Sequence, residues 1–154
     1  MSIRKGDNAI GFTLPARPGE TVDIGEYLGK DKLVLLFFPL AYSPVCTDEM
    51  CGLRDSWDEW KTLDAKVFGI SVDSPFVTDR FRAEMDIPFP ILSDFNRDVS
   101  AQYGALHDEL MGLKGVAKRA AFVIDGSGTV IYDWVSDDPS KLPDFEAIKA
   151  ALAG

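Results

Sequence analysis

Apolar residues along the chain fall into short runs separated by polar, glycine- and proline-rich punctuation. Lys32–Phe38 and Lys66–Val72 are nearly continuous apolar runs, which predicts two strands buried on both faces of a sheet. Between them, Cys46, Met50, Leu53, Trp57 and Trp60 recur at steps of four, three, four and three. That is a helical stripe, and it predicts a helix from about Pro44 to Leu63 with the two tryptophans as core anchors. Ser43 is placed to cap this helix and Pro44 to occupy its first position. Earlier in the chain, β signals at Gly11–Leu14 and Thr21–Asp23 flank a turn at Pro15–Glu20, a hairpin pattern. Ile24–Leu28 makes one helical turn, ended by Gly29.

The second half repeats these signals more briefly. Pro75 opens a helix reaching about Met85, with Asp73 or Ser74 as cap. Phe89–Leu92 reads as a short strand, placed at a sheet edge by Pro90. Asp98–Tyr103 is a short helix stopped by Gly104, and His107–Lys118 reads as a loop containing Gly112 and Gly115, with His107 an ordinary loop residue. Ala120–Ile124 and Thr129–Trp134 flank Asp125-Gly126-Ser127-Gly128, a hairpin, and Asp144–Leu152 is the last helix. Crossovers early and antiparallel pairing late predict an α/β fold: a mixed central sheet flanked by helices on both faces, with an N-terminal hairpin extension. A thioredoxin-like fold fits that order best. The absence of repeats, low-complexity tracts or linkers in 154 residues predicts a single domain over 1–154.

Composition narrows the chemistry. A net charge of −9 argues against nucleic-acid binding and against anionic membrane surfaces. No run approaches membrane-spanning length, and Met1–Asp7 has no apolar signal core. Two cysteines do not make a disulfide framework, which points to a reducing compartment, the cytoplasm. One histidine and two cysteines are too few ligands for a structural zinc site.

Both cysteines lie just past the junction of strand and helix. A thiol in the first turn of a helix meets unpaired N–H groups and the positive end of the helix dipole, which favours thiolate. Cys46 is therefore a candidate nucleophile. Asp48 and Glu49 suit the dipole but oppose an anionic sulfur, so a cation must come from elsewhere in the chain. Arg119, at the mouth of a buried strand, is the candidate, although such an arginine is commonly a rim residue. Cys51, five residues on, is about 140° around an intact helix and about 7.5 Å along it from Cys46. The Cα atoms are then roughly 8–9 Å apart, beyond disulfide reach. The two can bond only if the helix start unwinds, and Gly52 weakens it there.

Pro39-x-x-x-Ser43-x-x-Cys46, preceded by Phe37-Phe38, resembles the peroxiredoxin motif Pro-x-x-x-Thr/Ser-x-x-Cys. Arg119-Ala120-Ala121-Phe122-Val123-Ile124-Asp125, Gly69–Asp73 and Phe89–Asp94 resemble further segments of that family, over about residues 3 to 152. The resemblance implies a thiol-dependent peroxidase with no cofactor. Hydrogen peroxide or an alkyl hydroperoxide would be the substrate, and thioredoxin or a glutaredoxin-like protein the reductant. It implies Cys46 as peroxidatic cysteine, Arg119 and Ser43 as groups holding thiolate and peroxide, Pro39 as a shield against water, and Glu49 as the residue orienting the arginine. Pro39–Tyr42 and Leu92–Asn96 resemble the alkyl hydroperoxide reductase E-type. Cys46-Thr47-x-Glu49-x-Cys51 resembles the bacterioferritin comigratory protein type, where the second cysteine resolves the first. Resolution by Cys51 and by an external thiol both stay open, as does a homodimer packed near the active site. Tyr42 either lines the substrate mouth or packs beside the strand end. From another class, a redox sensor or holdase switched by Cys46 oxidation is the alternative.

Overall fold

The computed structural model describes residues 2–154. Its centre is a five-stranded sheet, built from β3 (Lys32–Phe37), β4 (Ala65–Ser71), β5 (Ile91–Ser93), β8 (Arg119–Ile124) and β9 (Val130–Ser136), in the order β5-β4-β3-β8-β9. β3 runs parallel to β4 and antiparallel to β8, so the sheet is mixed. Alternation along β3 separates two cores. Leu33, Leu35 and Phe37 face one side with Ile24, Val99 and Tyr103. Val34, Leu36 and Phe38 face the other, under α1 (Pro44–Asp55), α2 (Trp57–Lys61) and α5 (Phe145–Ala153). α4 (Asp98–Gln102) covers the first face, so helices flank the sheet on both sides in a thioredoxin-like arrangement. The N-terminal hairpin, β1 (Thr13–Arg17) and β2 (Glu20–Asp23), packs beside β5 and α3 (Pro75–Glu84).

The sheet register places the chemistry. Phe37 pairs with Ala120 across β3 and β8, so Arg119 lies at the end of β3 from which α1 departs. Arg119 shares its face with Ala121 and Val123, the face that α1 covers. An antiparallel pair thus carries a residue from late in the chain to the start of the cysteine helix.

Three local expectations are corrected, and one open choice is decided. The single helix over Pro44–Leu63 is two helices, broken at Ser56 (φ −106°, ψ 17°). The Ser56 hydroxyl donates to the Gly52 carbonyl at 2.9 Å, a back-bond that competes with the helical ladder, beside a glycine that supports helix poorly. The break leaves Trp57 against Phe89 (5.6 Å between ring centres) and Trp60 against Phe145 (6.2 Å). Next, the turn of the first hairpin contracts to Pro18-Gly19, because β1 continues through Pro15 to Arg17. In the third case, the His107–Lys118 loop contains a small hairpin, β6 (Glu109–Leu110) and β7 (Leu113–Lys114). Met111 (φ 52°) and Gly112 (φ 81°) both adopt left-handed backbone, the requirement of a tight two-residue turn. A methionine there carries no turn signal in sequence. His107 is buried in this segment, and its backbone N–H donates to the Val116 carbonyl at 2.8 Å. Of the two caps expected for α3, Ser74 is the one, accepting from the Val77 N–H, whereas the Asp73 side chain turns to the loop before α1.

Candidate active site

β3 ends at Phe37, and buried Phe38 and Pro39 carry the chain off the sheet. A turn follows in which Tyr42 takes φ 68°, and Pro44 then starts α1. The turn is braced from the neighbouring strand. Asp73 Oδ2 accepts from the Ala41 N–H at 2.7 Å and from the Ser71 hydroxyl at 2.7 Å. Sequence reasoning offered Asp73 only as a helix cap and missed this role. Tyr42 packs its ring on Phe81, 5.1 Å between centres, and bonds Glu84 through its hydroxyl, so it belongs to the strand end and not to the mouth.

Cys46 sits in the first turn of α1, fully buried. Arg119 is 1% exposed and Glu49 1% exposed, so the arginine at the mouth of the strand is an interior residue and not a rim one. Arg119 Nη2 donates to Cys46 Sγ at 3.1 Å, and Nη1 donates to Glu49 Oε1 at 2.6 Å. Nε and Nη2 also donate to the Pro139 carbonyl, at 3.2 and 3.0 Å. These bonds occupy four of the five guanidinium N–H groups. The structure therefore brings together Cys46, Arg119 and Glu49, and adds a backbone acceptor from the β9–α5 loop. A carbonyl has no signature in a sequence, so this partner was not legible.

Ser43 occupies the N-cap position of α1 but does not cap it with its side chain. Its hydroxyl donates instead to the Leu40 carbonyl at 2.8 Å, within the tight turn, and its own carbonyl accepts from the Thr47 N–H at 2.9 Å. Among the described residues no side chain caps the N–H groups at the start of α1, which leaves that end electropositive and open to an anion. Beside it lies a cavity of about 200 Å³, walled by Pro39, Leu40, Ser43, Val45 and Met111, with Arg119 at its base. A larger cleft of about 490 Å³ lies between β1 and the start of α3; the smaller cavity is the one that Arg119 lines, and neither cysteine lines either of them.

Cys51 lies about 1.4 turns beyond Cys46 on α1, half-buried, and the helix runs unbroken through both cysteines. Both sulfurs are free thiols, and the intact helix keeps them apart as its geometry requires.

Glu49 is the site's titratable neighbour. An ion pair at 2.6 Å would by itself hold the carboxyl low. Complete burial, with Oε2 lacking any partner, outweighs that pull and pushes the group up to about 7. The folded chain then keeps a proton on Glu49 that the unfolded chain releases near pH 4.5. Stability from this group is thus largest at low pH and declines as pH rises from 4.5 toward 7. Denaturant unfolding of the wild type and Glu49→Gln should show the wild type losing ground to the variant across that window, then a constant difference. Relative stability that rises instead would mean that attraction to Arg119 prevails.

Comparison with known proteins agrees with this geometry. The AhpC/TSA family matches residues 5–133. The putative peroxiredoxin bcp of Coxiella burnetii is 37% identical over 137 residues, covering 87% of this chain and 89% of that protein. Peroxiredoxin Bcp of Escherichia coli K12 is 36% identical over 139 residues, covering 88% and 86%. Among solved structures, peroxidoxin BcpB from Mycobacterium tuberculosis superposes with a TM-score of 0.82 at 33% identity, covering 98% of this chain and 95% of that one. Of the two subgroup resemblances, these relatives favour the bacterioferritin comigratory protein type. The chain belongs to the AhpC/TSA family and is a peroxiredoxin of the Bcp type.

Proposed function

We propose that Cys46 is the peroxidatic nucleophile of this thiol-dependent peroxidase. The observation that carries the assignment is the Arg119 Nη2 bond to Cys46 Sγ at 3.1 Å, with both side chains buried. A Cys46 thiolate held against this cation is the attacking nucleophile. It attacks one oxygen of hydrogen peroxide or an alkyl hydroperoxide. The S–O bond forms, the O–O bond breaks, and the leaving oxyanion takes up a proton and departs as water or alcohol. Cys46 is left as sulfenic acid, oxidised by two electrons. Negative charge builds on the leaving oxygen, and Arg119 with the uncapped N–H groups of α1 supplies preorganised donors for it. Pro39 walls the cavity against water, and Ser43, which also lines it, fixes the turn through its hydroxyl. Glu49 holds the guanidinium by its second nitrogen.

We assign Cys51 as the resolving cysteine. Its thiolate attacks Cys46 sulfenic acid, an S–S bond forms, and hydroxide leaves as water. A thioredoxin or glutaredoxin-like dithiol then reduces the disulfide by exchange, its own two thiols being oxidised. The first turns of α1 must open for this step, and the absent side-chain cap and Gly52 both lower its cost. A Cβ on Gly52 would meet nothing within 4 Å, so the glycine answers no packing demand. One domain over 1–154, working in the cytoplasm, completes the reading. Phe76 and Phe95, 72% and 57% exposed beside the larger cleft, offer apolar surface for a homodimer. Nothing in the site favours a sensor or holdase over an enzyme.

Stopped-flow tryptophan fluorescence with hydrogen peroxide tests the peroxidase assignment, since Trp57 and Trp60 follow Cys46 in α2. Wild type should react far faster than free cysteine, and Arg119→Ala should lose roughly 10²-fold or more, as preorganised donors do. A wild-type rate no better than free cysteine, unchanged in Arg119→Ala, sinks it.

Intact mass after peroxide treatment at low protein concentration tests resolution. Wild type should lose two hydrogens, and Cys51→Ser should retain oxygen on Cys46. Gly52→Ala should slow disulfide formation roughly fivefold, the equivalent of about 1 kcal/mol of added helix propensity. Equal rates for the wild type and Gly52→Ala would show that α1 does not open around residue 52.

A further inference from the structure

Arg119 is held from two sides, and only one of them is a side chain. Opposite Glu49, the Pro139 carbonyl takes two of the guanidinium N–H groups. Pro139 lies in neither helix nor strand; it belongs to the connection from β9 to α5. A loop carbonyl can fix a buried guanidinium only if the loop itself is fixed.

That loop is locked around Asp138. The Asp138 carboxylate Oδ1 accepts from the Ser140 backbone N–H at 2.9 Å and from the Ser140 hydroxyl at 2.7 Å. On the other flank, the Asp138 N–H donates to the Ser136 hydroxyl at 3.1 Å, and that hydroxyl donates to the Asp138 carbonyl at 3.1 Å. The Lys141 N–H donates to the same carbonyl at 3.2 Å. These five bonds bracket Pro139 from both sides. Lys118, next to Arg119, pairs with Asp137 at 2.6 Å and ties the loop to the strand that carries the arginine. Asp138 is exposed and touches neither Cys46 nor Arg119.

We propose that Asp138 is a positioning residue for the peroxidase reaction: by folding the Ser136–Lys141 turn it aims the Pro139 carbonyl at Arg119 and so fixes the guanidinium against Cys46. The inference rests on the peroxidase reading above, with Arg119 as its cation. Without the carboxylate acceptor the turn relaxes and Pro139 moves away from Arg119. Nη2 then no longer stays on the sulfur. Asparagine keeps an oxygen acceptor at the same place while removing the charge, so it separates geometry from electrostatics.

The test measures the peroxide rate constant for Asp138→Ala and Asp138→Asn, each alone and combined with Arg119→Ala. Asp138→Ala should lose roughly tenfold, within the hundredfold that an ångström-scale misplacement can cost. Asp138→Asn should recover to within about twofold of wild type. In the Arg119→Ala background, Asp138→Ala should change nothing further, because both act through one group. In a Cys51→Ser background, the pH profile for alkylation of Cys46 should move to higher pH in Asp138→Ala and stay in place in Asp138→Asn. Three results overturn the proposal: an Asp138→Ala rate within twofold of wild type, a loss not rescued by asparagine, or an equal loss with and without Arg119. If Asp138→Ala does not fold, Ser140→Ala, which removes one of the two bonds to Oδ1, carries the same cycle with a smaller fall. An Arg119→Ala protein as fast as a wild type that itself far outpaces free cysteine overturns the role of Arg119 and this inference with it, whereas a wild type no faster than free cysteine overturns the peroxidase assignment.

Discussion

The site depends on one buried guanidinium. Arg119 gives up its hydration shell and recovers four hydrogen bonds, from Cys46, Glu49 and twice from Pro139. A buried charge costs several kcal/mol to desolvate, and its partner's charge roughly offsets this only when the remaining donors are satisfied. Removing either member of such a pair typically costs about 3–5 kcal/mol, because the survivor is left uncompensated. The arrangement is thus a weak stabilising device against an apolar core of the same volume. What it secures is a cation fixed beside a buried sulfur. The acceptors come from α1 and from the β9–α5 loop, and the arginine from β8, so the whole sheet order is needed to assemble it.

Most of that order was legible. Lys32–Phe38, Lys66–Val72 and Ala120–Ile124 announce themselves as buried strands because apolar runs of that length have few other uses, and their ends fall within a residue or so of the observed strands. Cys46 stood out by its place at a strand-to-helix junction, while Pro39, Ser43 and Arg119 were singled out chiefly by resemblance to the peroxiredoxin motif. What sequence could not show was direction. Ser43 has the right residue type for a cap, yet its hydroxyl finds the Leu40 carbonyl closer to hand in the turn. Ser56 reads as one more polar position on a helical stripe, yet its back-bond to Gly52 ends the helix. Asp73 and Pro139 act through a side chain reaching across strands and through a carbonyl, neither of which leaves a periodic trace.

α1 satisfies two opposed requirements. Cys46, Met50 and Leu53 are buried in the core under it, which holds the helix against the sheet. Its first turn nevertheless lacks a side-chain cap, worth about 1 kcal/mol, and it carries Gly52, worth about 1 kcal/mol against alanine. The end bearing the proposed nucleophile is thus the uncapped one, while Met50 and Leu53 further on stay packed.

The charge on sulfur connects the two halves of the proposed cycle. While Cys46 is anionic, its bond to Arg119 at 3.1 Å is charge-assisted and ties the start of α1 to β8. Once the sulfur carries the peroxide oxygen as sulfenic acid, that negative charge is gone, and the bond falls to the strength of a neutral acceptor. Glu49 and Pro139 still hold Arg119, so the guanidinium stays in place and it is the helix start that is released. The contact that favours attack therefore weakens as a result of the attack, at the point in the cycle when Cys51 needs the first turns of α1 to come apart.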